Sequence, residues 1–554
     1  MMEPFERIDI QELPLRIPSF RRKVEDFLGS NGLRLGEVDV YLAVLSENGT
    51  ILAGGGLQRD IIKCLAVSAE ARSLGLSVPL VSRLLSVAAE RGFTDMKVFT
   101  KPENRSVFES LGFQLLAEAP KAILMENGRG LEDYCRYLRG HQAPGVIVMN
   151  ANPFTRGHRY LVEQASLSFQ APDGRRNIAI IPVREDISRF PYSERLDMVR
   201  RGSEGLADVV EGSVYQISAA TFPTYFLKDL SDAAETQMRL DIDLFGRHIA
   251  PALGARIRFV GSEPADPLTA RYNTLLKELL PSYGVQVVEI PRLTDAEGPV
   301  TASRVRDLLD AGHFAAASDL APASSRPYLL ADLAGRALRL ELDTPLKPGL
   351  VGPDSVGAHR DMDYGLMRKG IDAIRPFFPR MAQAGSPAEL RQLGIDAEAA
   401  MLATTGGVNT HRGAIFALGL ALYPHSIAET SALLDDGSSK RREAGIKGAM
   451  QMAREGYKEL FADWLPFYAS VKADTYGLQK TLLRIMSTLD DTCILHRAGK
   501  ERAEAVKMEA RALCDDFSID RLQAMCARYA EEGVSPGGAA DMLALTIYMD
   551  SISY

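Results

Sequence analysis

The chain has 554 residues, 46% of them hydrophobic and 25% charged, proportions of folded protein that leave no room for a long disordered tail and suggest roughly three or four domains with their own cores. A formal net charge of −8 argues against nucleic acid as a partner, while a local basic pocket for phosphates stays open. Five cysteines with no Cys-x-x-Cys pair suit reduced thiols, Met1 to Ile17 lacks the apolar core of a signal peptide, and no apolar run is long enough to span a membrane, so a soluble cytoplasmic protein is expected.

In residues 1–130, Ile62 to Val67 reads as a strand, and Arg72-Ser73-Leu74-Gly75-Leu76-Ser77 leads into a helical pattern marked by Leu80, Leu84, Val87 and Ala88. Amides at a helix start lack intrahelical partners and can hold phosphate oxygens. This loop, with Asn104-Arg105-Ser106-Val107-Phe108-Glu109-Ser110-Leu111-Gly112-Phe113 downstream, resembles the Gcn5-related acetyltransferases, whose Arg/Gln-x-x-Gly-x-Gly/Ala loop holds the pyrophosphate of coenzyme A. The resemblance implies an α+β acetyltransferase-like domain and gives Arg72 and Gly75 to that pyrophosphate. Ser77 departs from the small apolar residue of the motif.

Gly130 to Gly140 reads as a helical connector to a second domain at 140–325. Val146 to Met149 is an unbroken apolar run, the pattern of a parallel strand buried on both faces; Asn152 and Pro153 end it, and a helix begins near His158. Gly157 lets a phosphate approach the backbone closely. Ile178 to Val183 is the next strand, and the alternation points to an α/β Rossmann-like parallel sheet with ligands at the carboxyl ends of its strands. Val183 to Arg189, Phe259-Val260-Gly261-Ser262-Glu263-Pro264 and Pro299 to Arg306 would end there.

Thr155-x-Gly157-His158 resembles the (His/Thr)-x-Gly-His signature of nucleotidyltransferases, and Val300-Thr301-Ala302-Ser303-Arg304-Val305-Arg306 their Ile-Ser-Ser-Thr-x-Ile-Arg segment. Asn150 to Leu161, with Arg184 to Leu196, resembles citrate lyase ligase in particular. That resemblance implies adenylation of acetate by ATP and transfer of the acetyl group to the prosthetic-group thiol on the acyl carrier (gamma) subunit of citrate lyase, releasing AMP and pyrophosphate. Thr155 and His158 would meet the phosphates in flight, and Ser303 and Arg306 the β and γ phosphates, with Mg2+ bridging them. Asn152, Phe154, Gly157, Arg189, Gly261 and Thr301 would bind the nucleotide. Arg195 either assists or is a solvated helix charge. Thr221 to Phe226 and Thr269 to Asn273 also look like ligase segments, with Ala219 near a position where the ligases would carry Arg.

Ala316 to Pro327 reads as a linker. Strand signals then vanish, and helices are expected at 328–342, 359–384, 395–404, 412–422, 440–461, 475–490, 500–513 and 536–552, an all-α domain over 328–554. Between them lie polar clusters: Thr344 to Val351, Gly357 to Asp363, Thr405 to Ala414 and Leu489 to Arg497. They resemble triphosphoribosyl-dephospho-CoA synthase, most specifically in Gly407-Val408-Asn409-Thr410-His411-Arg412-Gly413-Ala414. The resemblance implies that the ribose of ATP is joined to dephospho-CoA with release of adenine. Such a transfer passes through an oxocarbenium-like state and wants a carboxylate near the anomeric carbon and a base for the attacking hydroxyl. Lys347, Arg360, Arg412, Lys440 and Arg441 would surround the triphosphate, with Asn409 at the nucleotide. Asp361 and Asp491 would face a metal or the anomeric carbon, and His359 or His411 would handle the proton. His359 and Asp363, four apart, equally fit a surface helix pair. Cys493 stands where the family would have Asn, and Ala498 where it would have Gly.

One compound joins these parts, since the last domain would make the precursor of the prosthetic group that the first two acetylate. The reading is a bifunctional enzyme using ATP, acetate and dephospho-CoA, with the carrier subunit as partner. Its rivals are an adenylyltransferase for a free cofactor, a non-catalytic acyl-CoA and ATP-binding regulator, and, for the last domain, service to malonate decarboxylase.

Overall fold

The chain divides into two units, residues 1–152 with 156–300, and residues 153–155 with 301–554. The computed structural model describes residues 8–168, 177–184, 187–216, 231–263, 266–433 and 449–553. Glu185, Asp186, Ala219, Thr221 to Phe226, Lys440 and Arg441 lie outside the described residues.

The first unit opens with a seven-stranded sheet built from β1 (Ile10–Glu12), β2 (Val40–Leu45), β3 (Ile51–Gln58), β4 (Ile61–Val67), β5 (Met96–Thr100), β6 (Gln114–Ala119) and β7 (Ala122–Asn127). Their order is β1-β2-β3-β4-β5-β7-β6. All neighbours are antiparallel except β4 and β5, which pair in parallel only at Ile61 with Lys97 and Ile62 with Val98. Leu80, Leu84 and Val87 of the helix Ser77–Glu90 are buried against this sheet, as their spacing predicts. Glycine is required at Gly54, where a β-carbon would sit 2.6 Å from the Tyr41 hydroxyl.

A second sheet follows, of β8 (Gly145–Met149), β9 (Ile178–Pro182), β10 (Asp208–Val209), β11 (Ile257–Gly261) and β12 (Gln286–Ile290), all parallel and ordered β10-β9-β8-β11-β12. The chain winds outward from β8 on one side and returns to β11 on the other. That reversal between β8 and β11 leaves a crevice at the carboxyl ends of these strands, where open parallel sheets bind ligands. A short two-stranded pair, Thr294–Asp295 with Gly298–Pro299, closes the unit.

The described residues of the second unit are helical apart from an isolated bridge between Gly352 and Ser355. The helix Arg326–Asp343 packs along Gly537–Ile552, and Arg412–Leu422 packs on the latter too. Three details depart from the sequence reading. The expected linker is partly helical, because the alanine-rich Phe314–Asp319 buries Phe314 and Ala317, and Pro327 occupies the first turn of the next helix, where its missing N–H costs nothing. The helix expected from 359 starts at Tyr364, because Asp363 accepts the Leu366 amide at 2.7 Å as its cap. His359 and Asp363 are therefore not a helical pair. The helix Ile519–Glu532 was not anticipated, although Leu522, Met525 and Tyr529 recur on one buried stripe. Among the described residues no helix is long and apolar enough to cross a membrane.

Candidate active sites

In the first unit, the crevice is organised by an arginine that the sequence left undecided. Arg195 is fully buried and donates from Nη1 to the Asn150 carbonyl and Oδ1, both at 2.7 Å, and to the Val183 carbonyl at 2.8 Å. Its Nε donates to the Phe190 carbonyl at 3.0 Å, and Asn152 Oδ1 accepts the Phe190 amide at 3.1 Å. Arg195 is neither a solvated charge nor a free cation. It fastens the ends of β8 and β9 to the Ser188–Phe190 loop, satisfying carbonyls that a turn would leave bare. Ala151, almost fully buried, takes φ +51, a left-handed conformation uncommon for a residue with a side chain.

Across the crevice, Arg292 follows β12. Its amide donates to Ser262 Oγ at 3.1 Å, and its guanidinium reaches the Ser262 carbonyl and pairs with Glu263. Gly261 ends β11, its carbonyl accepting Asn273 Nδ2 at 2.9 Å. His158, in the first turn of the helix Arg156–Leu167, is held to a pKa of about 4 by burial and the nearby charge of Arg292. A neutral imidazole beside a guanidinium can donate or accept at a phosphate without changing charge near neutral pH. Arg189 is half-buried, its guanidinium 5.9 Å from the Phe190 ring centre. Beside the seven-stranded sheet, Gly75 has φ +67 and ends the short turn Ala69–Leu74 that carries the exposed Arg72; the following helix has no side-chain cap on its first amides.

Thr155, Thr301, Ser303 and Arg306 belong to the second unit. Thr155 and Phe154 are fully buried, and the Phe154 carbonyl accepts the Ser325 hydroxyl at 2.8 Å. The Phe154 ring is thus part of the core. Thr301 caps the helix Ala302–Asp310 by accepting the Arg304 amide at 3.1 Å, and Arg306 donates to Ser303 Oγ at 3.0 Å.

The helical part of this unit encloses a cavity of about 820 Å³ whose wall includes His359, Asn409, His411, Arg412, Asp491 and Cys493. His411 Nδ1 lies 2.8 Å from Thr410 Oγ1, while Nε2 is buried with no hydrogen-bond partner. Burial and the neighbouring Lys347 hold this imidazole down to a pKa of about 3. His359 Nε2 is 2.8 Å from Ser535 Oγ, and burial with Arg497 nearby also lowers its pKa. Asp491 Oδ1 accepts the Cys493 amide at 2.8 Å and Oδ2 the Ala539 amide at 2.9 Å, so one carboxyl caps two helices. Asn409 Oδ1 accepts the Arg412 amide at 3.1 Å.

The structure sets several of the expected residues apart from the cavity wall. Lys347 is buried in an ion pair with the wall residue Glu341 and is not itself in the wall. Arg360 and Asp361 are exposed and absent from the cavity wall. Among the described residues no group of three or more His, Cys, Asp or Glu side chains gathers to hold a metal. The sequence reading missed Glu341, Arg391, Arg497 and Asp541 as wall residues. Asp541 packs against Gly413, where a β-carbon would lie 1.9 Å from its Oδ2.

Comparison with known proteins shows what the chain is similar to. Residues 144–329 match the citrate lyase ligase C-terminal domain, and residues 327–441 and 424–554 match ATP:dephospho-CoA triphosphoribosyl transferase. The [citrate [pro-3S]-lyase] ligase of Klebsiella pneumoniae is 39% identical over 323 residues, 56% of this chain and 92% of that protein. A probable 2-(5''-triphosphoribosyl)-3'-dephosphocoenzyme-A synthase of Pseudomonas fluorescens is 38% identical over 272 residues, 42% of this chain and 94% of its own. Among solved structures, a putative acyl-CoA N-acyltransferase of Klebsiella pneumoniae covers 21% of this chain and 94% of its own at 17% identity and a TM-score of 0.19.

Proposed function

We infer the function from two memberships: this chain belongs to the citrate lyase ligases and, through residues 327–554, to the ATP:dephospho-CoA triphosphoribosyl transferases. It is a bifunctional enzyme of citrate lyase maturation, at once an acid-thiol ligase and a pentosyltransferase. The observation that carries this reading is that one chain aligns with 92% of a ligase and 94% of a synthase.

In the ligase half, acetate attacks the α-phosphate of ATP in line, and the acetyl-adenylate then acylates the carrier thiol. Charge gathers on the phosphate oxygens, so the protein positions and neutralises, and no protein nucleophile is needed. In the first unit His158 serves the phosphates in its neutral form, with Asn152, Gly157, Arg189 and Gly261 along the nucleotide; in the second, the motif residues Thr155, Ser303 and Arg306 are assigned to phosphates and Thr301 to the nucleotide by their resemblance to the ligase family. Arg195 acts only by holding the loop ends. The turn of Arg72 and Gly75 receives the phosphates of the CoA-like arm that carries the thiol.

In the synthase half, Arg391, Arg412 and Arg497 on the cavity wall hold the triphosphate, with Asn409 beside it. Asp491 faces the anomeric carbon and His359 or His411 orients the hydroxyl. Magnesium entering with the nucleotide would supply charge neutralisation at the phosphates in either half.

The test is pyrophosphate release from ATP with acetate and deacetylated citrate lyase, wild type beside His158→Ala, together with adenine release when dephospho-CoA is added. Pyrophosphate that requires acetate and His158, plus independent adenine release, is expected. Pyrophosphate release indifferent to acetate would overturn the ligase assignment.

A further inference from the structure

The cavity of the second unit holds five carboxyls in its wall, Glu341, Glu398, Asp490, Asp491 and Asp541. Three are held by cations, Glu341 by buried Lys347, Glu398 by Arg412 and Asp490 by Lys507, while Asp491 accepts backbone amides at two helix starts. Asp541 differs: among the described residues it has no ion-pair partner, and a backbone amide, that of Ala414, is its one favourable contact. It sits in the first turns of the helix Gly537–Ile552 and presses on the start of Arg412–Leu422, where only glycine at 413 leaves room for its Oδ2. A carboxyl kept from cations, in a cavity with His411 Nε2 unpartnered, is placed for proton transfer rather than for phosphate or structure.

Resting on the synthase reading above, we propose that Asp541 is the general acid of the ribosyl transfer, delivering a proton to the departing adenine, with Asp491 receiving the proton of the attacking hydroxyl. The glycosidic bond breaks with its electron pair going to the adenine nitrogen, and the proton from Asp541 neutralises the base as it leaves. A bond forms from the hydroxyl oxygen of dephospho-CoA to the anomeric carbon, and the hydroxyl proton passes to Asp491. The two carboxyls begin and end with one proton between them, and its passage from Asp491 to Asp541 restores the starting state.

The surroundings agree. Burial first, then the charges of Asp491 and Glu341, raise the Asp541 carboxyl well above the usual range, and burial raises Asp491 as well. The groups facing Asp541 are Glu341 with Lys347 from the helix Arg326–Asp343, Asp491 and Cys493 at the start of Thr492–Asp515, Tyr457, and the Ala414 amide. None of these supplies it a direct cation. Two carboxyls of one cavity wall that share one proton divide the roles of acid and base.

The experiment is adenine release from ATP and dephospho-CoA by the full chain, wild type beside Asp541→Asn, with kcat and KM taken separately across pH and ATP affinity measured by displacement of a fluorescent ATP analogue. Asp541→Asn is expected to bind ATP within a few-fold of wild type and to release adenine about 10²- to 10⁴-fold more slowly. The wild-type kcat should fall as alkali strips the acid, and the variant should lack that limb. A variant keeping more than about a tenth of the rate, or losing ATP affinity in step with the rate, would show a structural residue and overturn the proposal. Should Asp541→Asn fail to fold, the wild-type profile decides alone, and the absence of an alkaline limb overturns it. A wild type that folds and releases no adenine removes the synthase reading and this inference together, whereas adenine release with a flat profile removes only the inference.

Discussion

His411 shows how a single side chain links site and stability. Unfolded, it titrates near 6.5; folded, at about 3. Between these values the unfolded chain binds the extra proton, so the neutral buried imidazole contributes its full stability above about pH 6.5 and loses it on acidification, by up to about 1.4 kcal/mol per pH unit. The single tryptophan of the chain, Trp464, is buried in the same unit and reports its unfolding. Urea titrations followed by its fluorescence should show His411→Gln losing less stability than wild type from pH 6.5 to pH 5. Cys493 gives a second expectation. Desolvation in the cavity wall and the carboxyls of Asp491 and Asp541 push its thiol up to about 12, so little thiolate exists at neutral pH. Alkylation by iodoacetamide, read by mass spectrometry, should be slow at pH 7.5, quicken with pH, and slow further when ATP fills the cavity. His158, at about 4, stays neutral above pH 5.5, and ATP affinity of the ligase half should show no histidine limb between pH 5.5 and 8.

At the scale of elements, Asp491 carries two helix starts. Asp491→Ala strands the amides of Cys493, Ile494 and Ala539 and should cost about 1–4 kcal/mol in urea unfolding, while Asp491→Asn, which keeps an acceptor oxygen, should cost less. Such devices also mark how far the sequence could be read. Gly145–Met149 and Ile178–Pro182 were legible as buried parallel strands because nearly every residue is apolar, and Thr155 to His158 because a turn chemistry sits at the strand end. Arg195 was not, since a guanidinium on a polar helix reads as solvated until the carbonyls that surround it are known. Lys347 and Asp361 misled for the same reason: charge in a polar string says nothing of whether it turns inward to Glu341 or outward to water. Asp541 escaped because it lies far along the chain from the cluster it serves, on a helix whose apolar run looks purely structural.

For the molecule as a whole, the two chemistries share a polypeptide but draw on different groups. His158→Ala should abolish acetate-dependent pyrophosphate release and spare adenine release, and Asp541→Asn should do the converse; parallel assays on one preparation check both. The contact between Gly413 and Asp541 also orders the history open to the second half. With the carboxyl oxygen 1.9 Å from where a β-carbon would grow, any side chain at 413 displaces the acid from its place. Homologous chains with a side chain at 413 should therefore be drawn mostly from those that lack the carboxylate.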